Sequence, residues 1–133
     1  MKTLFSRLFA LLLVAVVGLA GCSTPPPSGF TGNYQEDTLT VVETLRNAIN
    51  LPDDSPERPS SQAQARQIIN DFSAFYRRDN NLDSLGSYTT MRTALNSLAG
   101  HYSSYPNRPV PEKMKQRLSQ EFKQVEAALR RGA

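Results

Sequence analysis

The chain has 133 residues, of which 39% are hydrophobic and 20% charged, with one Cys, one His and no Trp. This length fits one small domain and excludes two-domain enzymes, and a single Cys excludes disulfide scaffolds and cysteine-rich zinc modules. The formal net charge of +3 suggests nucleic-acid binding only if the basic residues stay in the mature protein and cluster there.

Residues 1–21 have the pattern of a bacterial lipoprotein signal peptide. Lys2 and Arg7 flank the start of an apolar run over residues 8–19, which is too short to cross a hydrocarbon core of about 30 Å at about 1.5 Å per residue. The sequence Leu19-Ala20-Gly21-Cys22 is a lipobox. We therefore expect cleavage before Cys22, and a diacylglycerol and an N-acyl chain on Cys22 that together form a stable membrane anchor.

The charges are unevenly placed along the mature chain. Loss of Lys2 and Arg7 lowers the basic count from 15 to 13 against 12 acidic residues. Five basic and eight acidic residues lie within 22–80, whereas eight basic and four acidic residues lie within 81–133. Export and near neutrality argue against nucleic acid as a partner. The asymmetry indicates either a solvated helix surface or a polarity matched to a partner.

Residues 22–33 are predicted to be a flexible lipidated tether, and residues 34–133 one domain. The segment Pro25-Pro26-Pro27, with Gly29 and Gly32 after it, has a composition that cannot build a core. Asn33 is placed to cap a first helix, with Glu36 completing a capping box. The apolar face of this helix is predicted at Leu39, Val41, Val42, Leu45, Ala48 and Ile49.

Three further helices are predicted from helical spacing of apolar residues. The second opens at Ser61 and the third between Ser84 and Ser87, where Asp83 is a candidate cap. The fourth has Pro111 in its first turn. The predicted stripes are Ala65, Ile68, Ile69, Phe72, Phe75 and Tyr76; Met91, Ala94, Leu95, Leu98, Ala99 and Tyr102; and Met114, Leu118, Phe122, Val125 and Leu129. The expected fold is all-α, an antiparallel up-down-up-down four-helix bundle after the tether.

Catalysis has few candidates in this sequence. Lipidation of Cys22 removes a Cys–His pair with His101, and no Gly-x-Ser-x-Gly turn is present. The segment Asp79-x-Asn81-x-Asp83 imitates the opening of a calcium loop, but Ser84 and Thr90 stand where glycine and a bidentate glutamate are needed. We expect a protein that is not an enzyme, with no metal site and no cofactor besides the acyl chains.

An aromatic and basic cluster surrounds the connection between the third and fourth helices. It comprises Tyr102, Tyr105, Asn107, Arg108 and Pro109. Tyr and Arg are frequent at interface hot spots because they combine a large contact area with polar groups. One interpretation is a partner-binding site. The alternative is that Tyr105 only caps the bundle end and that Arg108 pairs with a nearby acid.

Three strings carry a family resemblance. They are Gly32-Asn33-Tyr34 running into Asp37-Thr38-Leu39, the unbroken run from Thr89-Thr90-Met91-Arg92 to Gly100-His101-Tyr102, and Arg108-Pro109-Val110-Pro111-Glu112-Lys113 continuing into Gln120-Glu121-Phe122-Lys123. In this order, and with the lipobox in place, they resemble the photosystem II assembly and repair lipoproteins of cyanobacteria. We add Arg92, from the second string, to the predicted contact residues.

The resemblance implies a monomeric four-helix protein anchored by lipid at the lumenal side of the thylakoid membrane. Such proteins bind photosystem II assembly intermediates transiently, mainly through the lumenal region of the PsbC antenna subunit. They are thought to assist maturation of the manganese-calcium cluster before the extrinsic subunits dock, without catalytic or metal-binding residues of their own. Two alternatives stay open, namely a general envelope lipoprotein acting as adaptor or spacer and a metal carrier built on Asp79 to Asp83.

Overall fold

A computed structural model of the chain describes residues 27–133, and this part is helical, with no strand. Its four α-helices are α1, Tyr34–Ile49; α2, Arg58–Tyr76; α3, Gly86–Ser104; and α4, Glu112–Arg130. Short 3-10 turns occupy Pro27–Gly29 and Asn80–Leu82. The predicted all-α class and the number of helices are confirmed.

The helices alternate in direction around the bundle. The Tyr34 ring at the start of α1 lies 5.6 Å from the Tyr76 ring at the end of α2, and its hydroxyl lies 2.8 Å from the Ser87 hydroxyl at the start of α3. The Ser87 amide in turn donates to the carbonyl of Ala133, which follows α4. We call this the Tyr34 end of the bundle, and the opposite end, where α3 is joined to α4, the link end.

Neighbours along the chain are also neighbours in space. Helix α1 packs on α2 and α4, and α3 packs on the same two helices. Helices α1 and α3 therefore lie on one diagonal of the bundle, and α2 and α4 on the other. This is the predicted up-down-up-down arrangement.

The beginning of α1 follows the prediction only in part. Asn33 caps the helix, since its side-chain oxygen accepts from the Glu36 amide at 3.0 Å. The reciprocal half of the capping box is absent, because the Asn33 amide donates to the Thr31 hydroxyl instead, at 3.1 Å. Leu39, predicted to face the core, is 39% exposed. The buried face is centred on Val41, Leu45 and Ala48, and Asp37 and Thr38 occupy the positions before them.

The predicted start of α2 at Ser61 is wrong by three residues. The helix begins at Arg58, with Pro59 in its first turn, where the missing amide hydrogen of proline costs no intrahelical bond. Phe75, also predicted to be in the core, is 37% exposed, whereas Phe72 and Tyr76 are buried. The apolar stripe of α2 is thus narrower at its C-terminal end than the sequence pattern indicates.

Buried side chains from all four helices form a single core. The largest of those exposed by less than 2% are Tyr102, Phe72, Phe122, Leu45, Met91, Leu98 and Leu118. Gly100 in α3 is exposed, and apart from its chain neighbours and its own helix backbone no atom lies within 4 Å of the place where its Cβ would be. No close helix crossing therefore requires a glycine at this position.

Packing begins before residue 34, where the predicted domain starts. Phe30 is 3% exposed and belongs to the core, so the last part of the predicted tether is folded onto the bundle. The predicted signal peptide and Cys22 lie outside the described residues. Within residues 27–133, none of the helices combines the length and the hydropathy needed to cross a bilayer.

Candidate functional site

The connection between α3 and α4, residues 105–111, which we call the link, is fixed through its backbone. The Arg108 amide donates to the Tyr105 carbonyl at 3.2 Å, and Nε2 of His101 lies 3.1 Å from the Arg108 carbonyl oxygen. Because that oxygen can only accept, Nε2 of His101 must carry the proton. Gln62 of α2 reaches the same oxygen at 3.5 Å. The link is therefore attached to both α2 and α3.

Side chains of the link point outward from this fixed backbone. Tyr105 is 50% exposed, and the Arg108 guanidinium lies 5.7 Å from the centre of its ring, close enough for a cation–π interaction of about 0.5–1 kcal/mol at an exposed site. Asn107 is exposed as well, and Pro109 is half-buried. These four residues form one surface, the link surface, which presents an aromatic ring, a cation and an amide.

Tyr102, predicted as a contact residue, is instead a core residue. Its side chain is 1% exposed, and burial raises the pKa of its hydroxyl to about 12. The His101 ring connects the core to the link surface. Its centre lies 5.8 Å from that of the Tyr102 ring and 5.6 Å from that of the Tyr105 ring. The predicted contact role of Tyr102 is therefore wrong, since a partner at the surface cannot reach this side chain.

Arg92 lies in a separate place, a cleft of about 310 Å³ between α2 and α3. Its guanidinium is 5.9 Å from the centre of the Tyr88 ring. Thirteen residue steps separate Arg92 from Tyr105, which caps the C-terminus of α3, and at about 1.5 Å per step this is roughly 20 Å along the helix axis. The structure therefore does not join Arg92 to the link surface. The lining residues of this cleft are Phe72, Ser73, Arg77, Asp83, Tyr88, Arg92, Leu95 and Asn96.

The cleft combines groups that suit an anionic ligand. Arg77 and Arg92 place two guanidinium groups in its wall, and Ser73 and Asn96 add neutral donors, against the single carboxylate of Asp83. Guanidinium groups bind carboxylates through paired hydrogen bonds. An acidic side chain of a partner protein would fit here. The sequence did not reveal the proximity of Arg77 to Arg92, because the two residues belong to different parts of the chain that only the packing of α2 on α3 brings together.

A second group that the sequence did not reveal is the buried carboxylate of Asp37, which is 2% exposed. It accepts from the amides of Thr31 and Gly32, at 2.8 and 3.1 Å, from the Thr31 hydroxyl at 3.0 Å, and from the Tyr76 hydroxyl. Burial acts to raise the pKa of Asp37, but these hydrogen bonds outweigh it and the pKa lies below its ordinary value. The arrangement attaches the N-terminal segment to α1 and α2. The sequence signal that could have revealed this carboxylate is its position four residues before Val41, on the buried face of α1.

The segment from Asp79 to Asp83, whose sequence imitates the opening of a calcium loop, forms a polar turn. The Asp79 carboxylate accepts from the Asn81 amide at 3.1 Å and so caps the 3-10 turn Asn80–Leu82. Asp83, predicted as the cap of the third helix, is not used in this way, because Leu85 precedes α3 and no side chain caps it. Across residues 27–133, no three His, Cys, Asp or Glu side chains come together as a metal site would require.

Comparison with known proteins places the chain in a family. A family model described as Photosystem II Pbs27 matches residues 4–129. The chain belongs to this family. As a Pbs27 family member it is 56% identical over 133 residues to the Photosystem II assembly factor lipoprotein Psb27 of Thermosynechococcus vestitus, a match that covers 100% of this chain and 98% of the relative. It is 53% identical over 132 residues to the Photosystem II lipoprotein Psb27 of Synechocystis, covering 99% and 97% of the two chains.

Solved structures agree with the Pbs27 assignment. The solution structure of Psb27 from cyanobacterial photosystem II is 56% identical and superposes with a TM-score of 0.75, covering 79% of this chain and 91% of that one. The crystal structure of PSB27 from Arabidopsis thaliana is 33% identical with a TM-score of 0.73, covering 75% and 98%. The resemblance carried by the three sequence strings is confirmed.

Proposed function

We propose that this protein is a lipid-anchored assembly and repair factor that binds photosystem II intermediates transiently at the lumenal side of the thylakoid membrane. The observation that carries the proposal is the 56% identity, over the whole chain, to a protein named a photosystem II assembly factor lipoprotein. The lipobox ending at Cys22 supports the anchor. In this function the protein is a monomer without catalytic activity, and its partner contact lies mainly on the lumenal region of PsbC.

The anchor and the bundle have different tasks in this function. Acyl chains on Cys22 confine the domain to the membrane surface and so raise its effective concentration near a membrane-embedded partner. A small contact such as the link surface then suffices for binding, and its weakness permits release. We propose that the bound protein keeps the site of the manganese-calcium cluster accessible while the cluster matures, before the extrinsic subunits dock.

Purification of photosystem II through a tag on this protein tests the proposal. We expect the tagged chain in complexes that lack the extrinsic subunits, with PsbC as the main crosslinked partner. Recovery only with fully assembled, oxygen-evolving complexes would overturn the assembly role. Recovery with envelope membranes, unchanged in cells without photosystem II, would favour a general lipoprotein that acts as an adaptor or spacer.

The link surface provides a sharper test through Arg108. Arg108→Glu reverses the exposed charge and removes the cation–π contact with Tyr105, so we expect binding to isolated photosystem II intermediates to weaken about tenfold, which corresponds to about 1.4 kcal/mol. The matched control is Lys123→Glu, an equal charge change at an exposed position of α4. Binding by the Arg108 variant that equals that of the control would place the contact elsewhere, and equal melting temperatures would show that both variants fold.

A further inference from the structure

We propose that one face of the bundle, beside the C-terminal half of α2, lies on the bilayer surface. This tether face consists of the exposed residues Ser28, Gly29, Phe75 and Arg78. The inference rests on the proposed acylation of Cys22 and adds an orientation to it. Its occupant is the headgroup region of a phospholipid bilayer.

The chain leaves the folded domain at a fixed point. Phe30 is buried, with its ring 6.1 Å from those of Phe72 and Phe75. The residues after it are held by the Asp37 carboxylate through the Thr31 and Gly32 amides. Before it, the Ser28 hydroxyl donates to the Asp71 carboxylate on the outer side of α2. The polypeptide therefore reaches the bundle alongside α2.

The length of chain between that point and the proposed anchor limits which sides of the bundle can face the bilayer. Six residue steps separate Cys22 from Ser28, and at about 3.5 Å each they span roughly 21 Å when fully extended. A two-by-two bundle of helices, each about 10–12 Å in diameter, is some 20–24 Å wide, so a path around it from α2 to the diagonally opposite α4 is about 40 Å. Since the tether is shorter than this path, α4 cannot turn toward the bilayer, whereas the α2 side lies within reach of the anchor.

The chemistry of the tether face suits a bilayer surface. Phe75 is 37% exposed, and Arg78, in the turn that follows α2, is exposed as well. Arg66 and Arg77 line depressions between α2 and α3, so the cation of the tether face is Arg78. The Asp71 carboxylate is already engaged by Ser28 and, at 2.9 Å, by Gln67. An aromatic ring with a neighbouring arginine suits the boundary between acyl chains and phosphate groups.

A single partly exposed ring and one neighbouring arginine give too little binding energy to hold the domain on a membrane without the acyl chains. The tether face therefore orients the protein but does not recruit it. The orientation leaves the cleft-side and link-side surfaces of α3 available to a membrane-embedded partner.

The absence of Trp from the sequence allows a direct test with single-tryptophan reporters. The lipidated full-length chain is reconstituted into phosphatidylcholine–phosphatidylglycerol vesicles containing brominated phospholipids, with Phe75→Trp on the tether face and Tyr105→Trp at the link end as matched control. We expect bromolipids to quench the first reporter at least about twofold more than the second, because quenching requires contact with the bilayer. Ala74→Trp, at an exposed neighbouring position, serves in place of Phe75→Trp if that variant does not fold.

The outcomes separate this inference from the function on which it rests. Failure of the protein to float with vesicles would overturn the anchor and with it the proposed function. Flotation with equal quenching of the two reporters, or stronger quenching at Tyr105→Trp, would overturn only the orientation. With the Phe75→Trp reporter, Arg78→Glu should reduce quenching, whereas Lys123→Glu should leave it unchanged, and the reverse result would also contradict the tether face.

Discussion

Asp37 shows how one carboxylate decides where the folded domain begins. A buried carboxylate without partners would favour its neutral form, but this one accepts from the amides of Thr31 and Gly32 and from the Tyr76 hydroxyl. Burial and the nearby Asp37 charge raise the pKa of Tyr76 above its ordinary value, so Tyr76 stays protonated and donates. The charge is thereby satisfied entirely by neutral donors, and Phe30 is held in the core.

Asp37→Asn is expected to lower the free energy of unfolding by about 1–3 kcal/mol, because an amide turned toward the Thr31 and Gly32 amides leaves a buried donor unpaired. The difference in unfolding free energy between this variant and the unchanged protein should depend on pH. The pKa of Asp37 is lowered in the folded state, so its contribution is present above the unfolded-state value of about 3.9 and is lost as the pH falls below about 4. Denaturant unfolding at neutral and acidic pH measures both effects.

The control for this variant is Asp54→Asn, in the exposed loop before α2. It makes the same chemical change where no buried donor is affected, so its unfolding free energy should match that of the unchanged protein. A loss for Asp37→Asn that stays constant down to acidic pH would contradict the role assigned to the charge.

At the scale of helices, periodicity predicted their existence and order but not their edges. The stripes of α3 and α4 follow simple three- and four-residue spacing and were identified correctly. Leu39 and Phe75 fit the same spacing and are nevertheless exposed, because the width of a buried face depends on how close the neighbouring helices come. The pattern of one helix contains no information on that distance.

Candidate surfaces were predicted less well than helices for a related reason. Tyr105 and Arg108 were predictable as a pair because the proline-rich link keeps them together in sequence. Tyr102 was misplaced because a helix terminus exposes some positions and buries others within one turn. The pairing of Arg77 with Arg92 in one cleft, and of Asp37 with Thr31, depends on tertiary packing, which residue spacing along one element does not reveal.

The rotational orientation of α2 about its own axis can be tested with two phenylalanines three residues apart, Phe72 and Phe75. Phe72 is 1% exposed, so Phe72→Ala should lower the unfolding free energy by about 3–5 kcal/mol through lost burial and a residual cavity. Phe75→Ala removes the same atoms from a site 37% exposed and should cost about 1 kcal/mol. Denaturant titrations of both variants give the comparison. Equal losses, or a loss under about 1 kcal/mol for Phe72→Ala, would show that the helix is rotated from the orientation described.

At the scale of the whole molecule, the proposed contact surfaces lie in different places on the bundle. The tether face lies beside the C-terminal half of α2, the Arg92 cleft lies between α2 and α3, and the link surface lies at the opposite end from Tyr34. The ion pair between Arg46 of α1 and Glu126 of α4, with side chains 37% and 29% exposed, contributes at most about 1 kcal/mol. Stability thus comes from the shared core, which leaves the surface charges free to vary with the partner.

One partner of ordinary size can cover both the cleft and the link surface. A standard interface buries about 800 Å² on each partner, which as a round patch is some 30 Å across and exceeds the roughly 20 Å that separates Arg92 from Tyr105. We therefore expect Arg92→Glu and Arg108→Glu each to weaken binding to photosystem II intermediates. Residues this far apart share no partner atoms, so the two losses in binding free energy should add to within about 0.5 kcal/mol in the double variant.

The test is a double-mutant cycle. It compares the affinities for photosystem II intermediates of the two single variants, the double variant and the control Lys123→Glu. Additive losses indicate one rigid partner surface that contacts both places. A double variant no weaker than Arg108→Glu alone would show that the cleft lies outside the contact. A loss much larger than the sum would show that the two places cooperate, which requires the partner or the bundle to change shape on binding, because direct electrostatic coupling over 20 Å is screened in salt with a Debye length of about 8 Å.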